Sequence, residues 1–477
     1  MHKVFFIEIL SQTLKLYLIY LFLSKIGIII GSFLLYFLLI SYRYLIKKIF
    51  HLQYVSFDKS LMGFSSRDQY TINLLSLFDR TDSSPSTFEP SVFKKTIITR
   101  VISQIPKMRS KIVYKLLNFY WEETPIEEAI NKIQIISLPN KESLHDYLDS
   151  HVSKRIDNYN NIPYEIYIIK YDDNTGGAVH FKFDHVVSDG LGFLSMLCFL
   201  SDDFSPELFP KIMNGKYTYS ALRELKDTIL FPLHIFIAIY TILFSSWERT
   251  DFKIMYHSTH LGDSKYAMSK WYDISEIRKV RQKYSVSFND SVVGIIMRAL
   301  PKTMNDKVSG LNIVIPCGYT SKPQTAKDIE MGNEAQGFLM YIPFITSFTE
   351  LPKLSKIIRR VFSTSITSIP LFLFRLLGEV FPMIILNLVS NYIIFKVDML
   401  ISNCPGPDIE CKLCGWTMTD FYPVVSSGRM KSFITIGSYN KKFRYVAAYD
   451  KSVRYEPKQL ISEIDVIMND IINGKLD

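Results

Sequence analysis

Between Gly177 and Gly190 the chain sets out a strand, a turn and a helix in that order. Val179, Phe181 and Phe183 alternate with His180, Lys182 and Asp184, the period of a strand. Gly190 allows a sharp turn into an apolar helix beginning near Leu191. Continuing the alternation puts His185 on the apolar face, with Asp189 four residues on. A neutral imidazole in a water-poor site can take a proton from a hydroxyl or a thiol. The spacing by itself is open to two readings, a chemical pair and a satisfied pair in the core. His145 and Asp149 repeat it where Leu144, Leu148 and Val152 recur at helical intervals, and there it reads as helix surface.

The rest of the chain also reads as α/β. Residues 58–90 look like an entry strand and a Ser/Pro-rich loop, with helical patterns to about 114 and strands near 131–137 and 163–171. Further on, 253–275 reads as strands, 276–284 and 290–304 as helices, and 311–316 and 338–345 as buried strands. Residues 432–450 return to strands before a closing helix, and no internal repeat is visible.

Two later segments accompany the first. Ser287-Phe288-Asn289-Asp290-Ser291-Val292-Val293 leads into a helix, and Ile401-Ser402-Asn403-Cys404-Pro405-Gly406-Pro407 follows a long apolar stretch. In sequence order the three resemble the bacterial and plant wax ester synthase/diacylglycerol acyltransferase family, which carries His-His-x-x-x-Asp-Gly, an Asn-Asp motif and Asn-Val-Pro-Gly-Pro. Tyr120-Trp121, Ile162 to Glu165, Gly332-Asn333, Phe421-Tyr422-Pro423 and Ile436 to Asn440 extend the resemblance over about residues 55 to 470. There are two departures: Asp184 stands where the family has its first histidine, and Cys404 where it has valine.

The resemblance implies two chloramphenicol-acetyltransferase-like lobes with a tunnel between them and the histidine at mid-tunnel. The counterpart of the family's base is His185. Asp184, Gly190, Asn289, Asp290, Ser402, Asn403, Pro405, Gly406 and Pro407 would line or shape the tunnel. Asp184 would add a negative charge beside His185 and raise its pKa. Asp189 would brace the turn. Asn289 is placed to cap the helix that carries Val292, Val293, Ile295, Ile296 and Ala299. The glycine of Pro405-Gly406-Pro407 would let the backbone approach an acyl chain or CoA.

Other chemistries lack their residues. Gly190-x-Gly192-x-x-Ser195 has serine where a dinucleotide fingerprint needs its third glycine. There is no Gly-x-Ser-x-Gly, no His-Glu-x-x-His and no phosphate loop. Cys411 and Cys414 form a lone Cys-x-x-Cys, read as two ordinary thiols because zinc needs four ligands. The expectation is therefore no metal and no cofactor, with acyl-CoA as a substrate.

A membrane is the other constraint. From Leu16 to Tyr42 only Lys25 is charged, a 27-residue run, where about 20 residues span a bilayer. It lacks a small-residue cleavage site and reads as a retained transmembrane helix; the alternative is a buried core helix. Arg43, Lys47 and Lys48 follow directly, which puts the remaining chain in the cytosol. Five cysteines, an odd number, fit that side. Hydrophobic content of 48% with a mean hydropathy of +0.11 also points to membrane contact. Thr228 to Trp247 and Ile369 to Asn387 read as interfacial or core helices that could form a lip for lipids. The net charge of +9 is scattered, apart from Lys353, Lys356, Arg359 and Arg360. That cluster reads as a solvated helix face or a contact with anionic lipid, and no nucleic-acid signature accompanies it.

The expected organisation is a membrane anchor over 1–50, an N-terminal lobe over 51–215, an apolar connector over 216–252 and a C-terminal lobe over 253–477. The expected activity is transfer of an acyl group from CoA to a lipid alcohol, either a fatty alcohol or diacylglycerol, at a membrane, the endoplasmic reticulum, with the lobes facing the cytosol. Two alternatives stand beside it: a lipid-binding or scaffold protein that kept the fold and lost turnover, and an acyltransferase with another acceptor.

Overall fold

The computed structural model describes most of the chain from Gly27 onward. Outside the described residues lie almost all of 1–26, then 55–70, 210–220, 245–263, nearly all of 363–391, 427–431 and short breaks elsewhere. The first helix, α1 (Ile28–Phe50), takes up the second half of the apolar run. Its last two turns dock through Ile46, beside Leu52, on Val113 and Tyr120. These belong to a small sheet in which β1 (Gln53–Tyr54) and β3 (Ser110–Lys115) flank β4 (Asn118–Glu123). Among the described residues no helix is long and apolar enough to cross a membrane. The beginning of the run, from Leu16, lies mostly outside them.

Two larger sheets follow. The first has the order β15-β2-β7-β6-β5, with β2 (Thr71–Asp79), β5 (Ile133–Leu138), β6 (Tyr164–Tyr171), β7 (Gly176–Asp184) and β15 (Asp420–Val425). The second joins β8 (Ser264–Met268), β9 (Tyr272–Asp273), β10 (Gly310–Val314), β11 (Leu339–Pro343), β12 (Met399–Cys404), β16 (Ser432–Tyr439) and β17 (Lys442–Asp450). A hairpin of β13 (Lys412–Leu413) and β14 (Trp416–Thr417) precedes β15. Around them run α2 (Pro90–Ile97), α3 (Ile126–Ile130), α4 (Leu144–Val152), α5 (Gly190–Leu200), α6 (Ala221–Phe244), α7 (Ile274–Tyr284), α8 (Phe288–Ala299), α9 (Leu351–Phe362) and α10 (Pro457–Ile472).

One strand crosses the division of the sequence at residue 252. Strand β15 comes from the C-terminal half yet pairs with β2, Phe421 opposite Ser76 and Val425 opposite Ile72. Pro423 in that strand packs against Gly437 of β16, where a Cβ would come within 2.5 Å of the ring. Two segments of the family resemblance, Phe421-Tyr422-Pro423 and Ile436 to Asn440, are thus the two halves of one contact between the sheets. Asn440 and Lys441 take positive φ in the two-residue turn from β16 to β17.

The helical reading up to residue 114 is corrected. After α2 the chain passes through one π turn and one 3-10 turn, and 110–115 is strand β3. Val113 and Tyr120 must face α1, which a local pattern does not announce. The alternation along β7 is also not an alternation between core and water, because every residue of the strand is buried. Val179, Phe181 and Phe183 face the core that contains Phe193 and Met196 of α5. On the other face Lys182 lies between Asn73 and Glu165 in register, and α4 covers the row. His180 bonds Tyr147 at 2.9 Å and Asn73 at 3.1 Å there. Burial lowers the Lys182 pKa to about 8, its ionic neighbour being Glu165 at 3.9 Å. On α4, Leu144, Leu148 and Val152 are buried while His145 and Asp149 are exposed, as the periodicity indicated.

Candidate active site

Strand β7 ends at Asp184, and residues 185–187 form the turn that leads to α5. Asp189 is the N-cap of that helix: its Oδ1 accepts from the backbone N–H groups of Leu191 at 3.0 Å and Gly192 at 3.1 Å. Those are two of the donors that a helix start leaves unpaired. Its Oδ2 accepts from Ala335 N at 3.2 Å, and Asp189 N donates to Gly332 O at 3.1 Å. The aspartate therefore pins the turn to a loop of the C-terminal half.

His185 stands partly exposed on this turn. Asn333 donates from Nδ2 to the His185 carbonyl at 2.8 Å. The buried ring nitrogen Nδ1 faces the residue's own carbonyl and the Asn333 side chain, without a well-formed hydrogen bond. Burial pushes the imidazole pKa below its ordinary value, and the Asp189 carboxylate opposes that shift. The ring is accordingly neutral near pH 7. The expectation that Asp184 raises this pKa is corrected. Asp184 lies on the other face of β7, buried, with Oδ1 accepting from Val186 N at 2.9 Å. It shapes the backbone of the turn, and the carboxylate felt by His185 is that of Asp189.

The second and third motifs meet. Asn403 at the end of β12 donates from Nδ2 to Oδ1 of Asn289 at 2.5 Å. Asn289 does not cap α8, as its place before the apolar run suggested. The N-cap is Ser287, in a capping box whose other member is Asp290: Asp290 N donates to Ser287 Oγ at 3.1 Å and Ser287 N to Asp290 Oδ2 at 3.0 Å. That frees the Asn289 side chain for Asn403. Asp290 is buried and also accepts from Ser355 of α9 at 2.7 Å.

Cys404 brings the third motif to the first. A Cβ on Gly190 would lie 3.2 Å from Cys404 Sγ, so the glycine provides the space for the thiol. Ser402 lies 3.4 Å from the same sulfur. Burial pushes the Cys404 thiol up, so it stays protonated and is a poor nucleophile. At Gly406 a Cβ would stand 2.0 Å from the Ser438 carbonyl. The glycine serves strand packing against β16, and Gly406 N donates to Ser438 Oγ at 3.0 Å. Pro405 is partly exposed and Pro407 is buried.

An apolar pocket lies between β7 and α5. Leu194, Leu197 and Leu200 of α5 form one wall, Val179 and Phe181 of β7 another, and Pro407, Leu413 and Phe421 close it. Sequence reasoning did not find this pocket, because its walls come from three distant stretches. It also assigned no role to Asn333 or Ala335; the Gly332-Asn333 pair was visible, but nothing local tied it to His185. Among the described residues no cluster of side chains could hold a metal ion.

Residues 346–471 match the WS/DGAT C-terminal domain. Among solved structures the chain is similar to the wax ester synthase/diacylglycerol acyltransferase from Marinobacter aquaeolei VT8, at 15% identity and a TM-score of 0.57, over 86% of this chain and 97% of that one. It is similar to the first condensation domain of the calcium-dependent antibiotic synthetase at 11% identity and a TM-score of 0.56, over 86% and 92%. The starter condensation domain of rhizomide synthetase, in complex with C8-CoA, shares 9% identity at a TM-score of 0.54, over 91% and 97%. At these identities the likeness is one of fold, mixed α/β in two lobes. No curated protein matches the sequence significantly. The matched domain, with this fold, indicates an acyltransferase.

Proposed function

We propose that this chain, with a WS/DGAT C-terminal domain over residues 346–471, transfers an acyl group from CoA to the hydroxyl of a lipid alcohol, with His185 as general base. The observation that carries the reading is the His185 turn itself: a partly exposed imidazole held neutral by burial, on a loop clamped by Asp189 and Asn333. The imidazole Nε2 accepts the acceptor's hydroxyl proton as the oxygen attacks the thioester carbonyl. The C–S bond breaks, and the imidazolium returns the proton to the departing thiolate. No covalent enzyme intermediate is needed, consistent with a protonated Cys404.

The sign of the pH dependence follows. The base form is needed, and its pKa lies below 6.5. kcat/KM is expected to be level through neutral pH and to fall on the acid side, with the limb below 6.5. Asp189→Asn removes the anion that holds the pKa up, so its limb is expected at lower pH still. A pH–rate profile of the two proteins tests both statements, and a parent limb above 7 would contradict the neutral, buried imidazole.

The apolar pocket supports a hydrocarbon chain as part of the substrate, since a polar acceptor would need buried hydrogen-bonding groups aimed at it. Fatty alcohol and diacylglycerol are the two acceptors of this reading, with fatty alcohol slightly preferred. Competition between long-chain alcohol, diacylglycerol, sterol and a water-soluble alcohol, with labelled acyl-CoA, is the test. Lipid alcohols are expected to win, and Leu197→Trp is expected to depress turnover of long chains more than short ones. Preference for the water-soluble alcohol would overturn the acceptor.

Attachment to a membrane, the endoplasmic reticulum with the lobes in the cytosol, belongs to the same reading. It is supported by the apolar run and by the exposed Phe33, Phe37, Leu38 and Leu45 of α1. Deleting residues 1 to 50 is expected to release much of the protein on carbonate extraction and to leave a folded, active body. Carbonate resistance equal to the parent's would place the attachment elsewhere.

A further inference from the structure

From Ile229 onward helix α6 is apolar on both of its faces. Phe231, Ile235 and Ala238 face the protein and pack with Phe338, Ile369 and Val361. The outer face shows Ile229, Leu233, Phe236, Ile237 and Tyr240, with Phe236 66% exposed. No side chain from Ile229 to Phe244 is acidic or lysine or arginine. A helix face of that kind is not left in water without cost, and contiguous exposed apolar surface marks a contact site.

What covers it is indicated by its neighbour. Val361, one of the residues packed on α6, belongs to the last turn of α9. That helix buries Leu351, Leu354, Ser355 and Ile358 and turns Lys353, Lys356, Arg359 and Arg360 outward. Arg359 is engaged with Asp290 at 3.5 Å. Tertiary packing thus joins the apolar stretch of α6 from Ile229 onward to a basic helix.

We propose that α6 and α9 together form a docking surface for an anionic lipid bilayer, α6 entering the interfacial layer while α9 lies against the headgroups. The pairing of an apolar face with lysines and arginines beside it is the chemistry that a negatively charged leaflet recognises. The proposal rests on the lipid-substrate reading above only for its purpose; the surface stands on its own geometry. It differs from the N-terminal attachment in that it fixes how the lobes lie on the membrane.

The full chain is reconstituted in vesicles of phosphatidylcholine alone or mixed with phosphatidylserine. A photo-crosslinking phenylalanine analogue replaces Phe236, or Ile135 as an exposed control on β5. Lipid crosslinks at 236 are expected to exceed those at 135 and to be strongest with phosphatidylserine. They are expected to fall at least about tenfold with Lys353→Glu, Lys356→Glu and Arg360→Glu combined, since each basic residue near an anionic surface contributes roughly fivefold. Crosslinks at 236 equal to those at 135, or to a second copy of the chain, overturn the proposal. So does labelling unaffected by phosphatidylserine and by the charge reversals, or charge reversals that raise only the KM for acyl-CoA. Strong labelling in a protein without acyl transfer supports the surface and sinks the activity instead.

Discussion

His185→Ala is expected to abolish ester formation while the protein still folds and still associates with membranes. The side chain sits on a turn whose backbone is held by other residues: Asn333 bonds the His185 carbonyl, and Asp189 caps α5 and holds Ala335. None of those bonds uses the imidazole. Removing it therefore takes away the base without undoing the clamp. General-base help is worth on the order of 10²–10⁴ in rate, so turnover with labelled acyl-CoA should drop by at least the lower figure. Melting temperature serves as the control and should move little. Near-normal turnover in this variant would move the base elsewhere.

Asp189→Ala is expected to produce the largest loss of stability among single changes at the site. Two helix N–H groups lose their cap, worth about 0.5–2 kcal/mol. Ala335 N loses its acceptor as well, which adds about 1–3 kcal/mol where no water replaces it. Thermal melting should fall by several degrees, and activity with it. Asp189→Asn should fall less, because an amide oxygen can still accept from Leu191 and Gly192 while its NH2 group opposes the Ala335 donor. A variant that melts like the parent yet is inactive would give Asp189 a direct part in the chemistry.

The contrast between these two residues shows what each level of description contributed. The strand through Asp184, the turn and the helix from Gly190 were legible because they depend on neighbours in sequence: alternation, a cap and a glycine. The third motif was legible too, and it lies within the matched C-terminal domain, residues 346–471. Asp184 shows where that legibility stops. Its sequence position beside His185 suggested an electrostatic neighbour, but β7 ends at Asp184, whose carboxylate accepts from Val186 N, and His185 stands on the turn that follows.

The sequence by itself determined the local units: which stretches alternate, where α5 starts, and that an apolar run carries a basic flank. Only the tertiary structure decided what those units meet. It set β15 beside β2, Asn333 on His185, Asn403 on Asn289 and the end of α9 on α6, pairs separated by more than a hundred residues. Local patterns encode burial and capping, which act over a few residues. Contacts between distant segments are chosen by the fit of whole faces in a packed interior, and no single segment carries that fit.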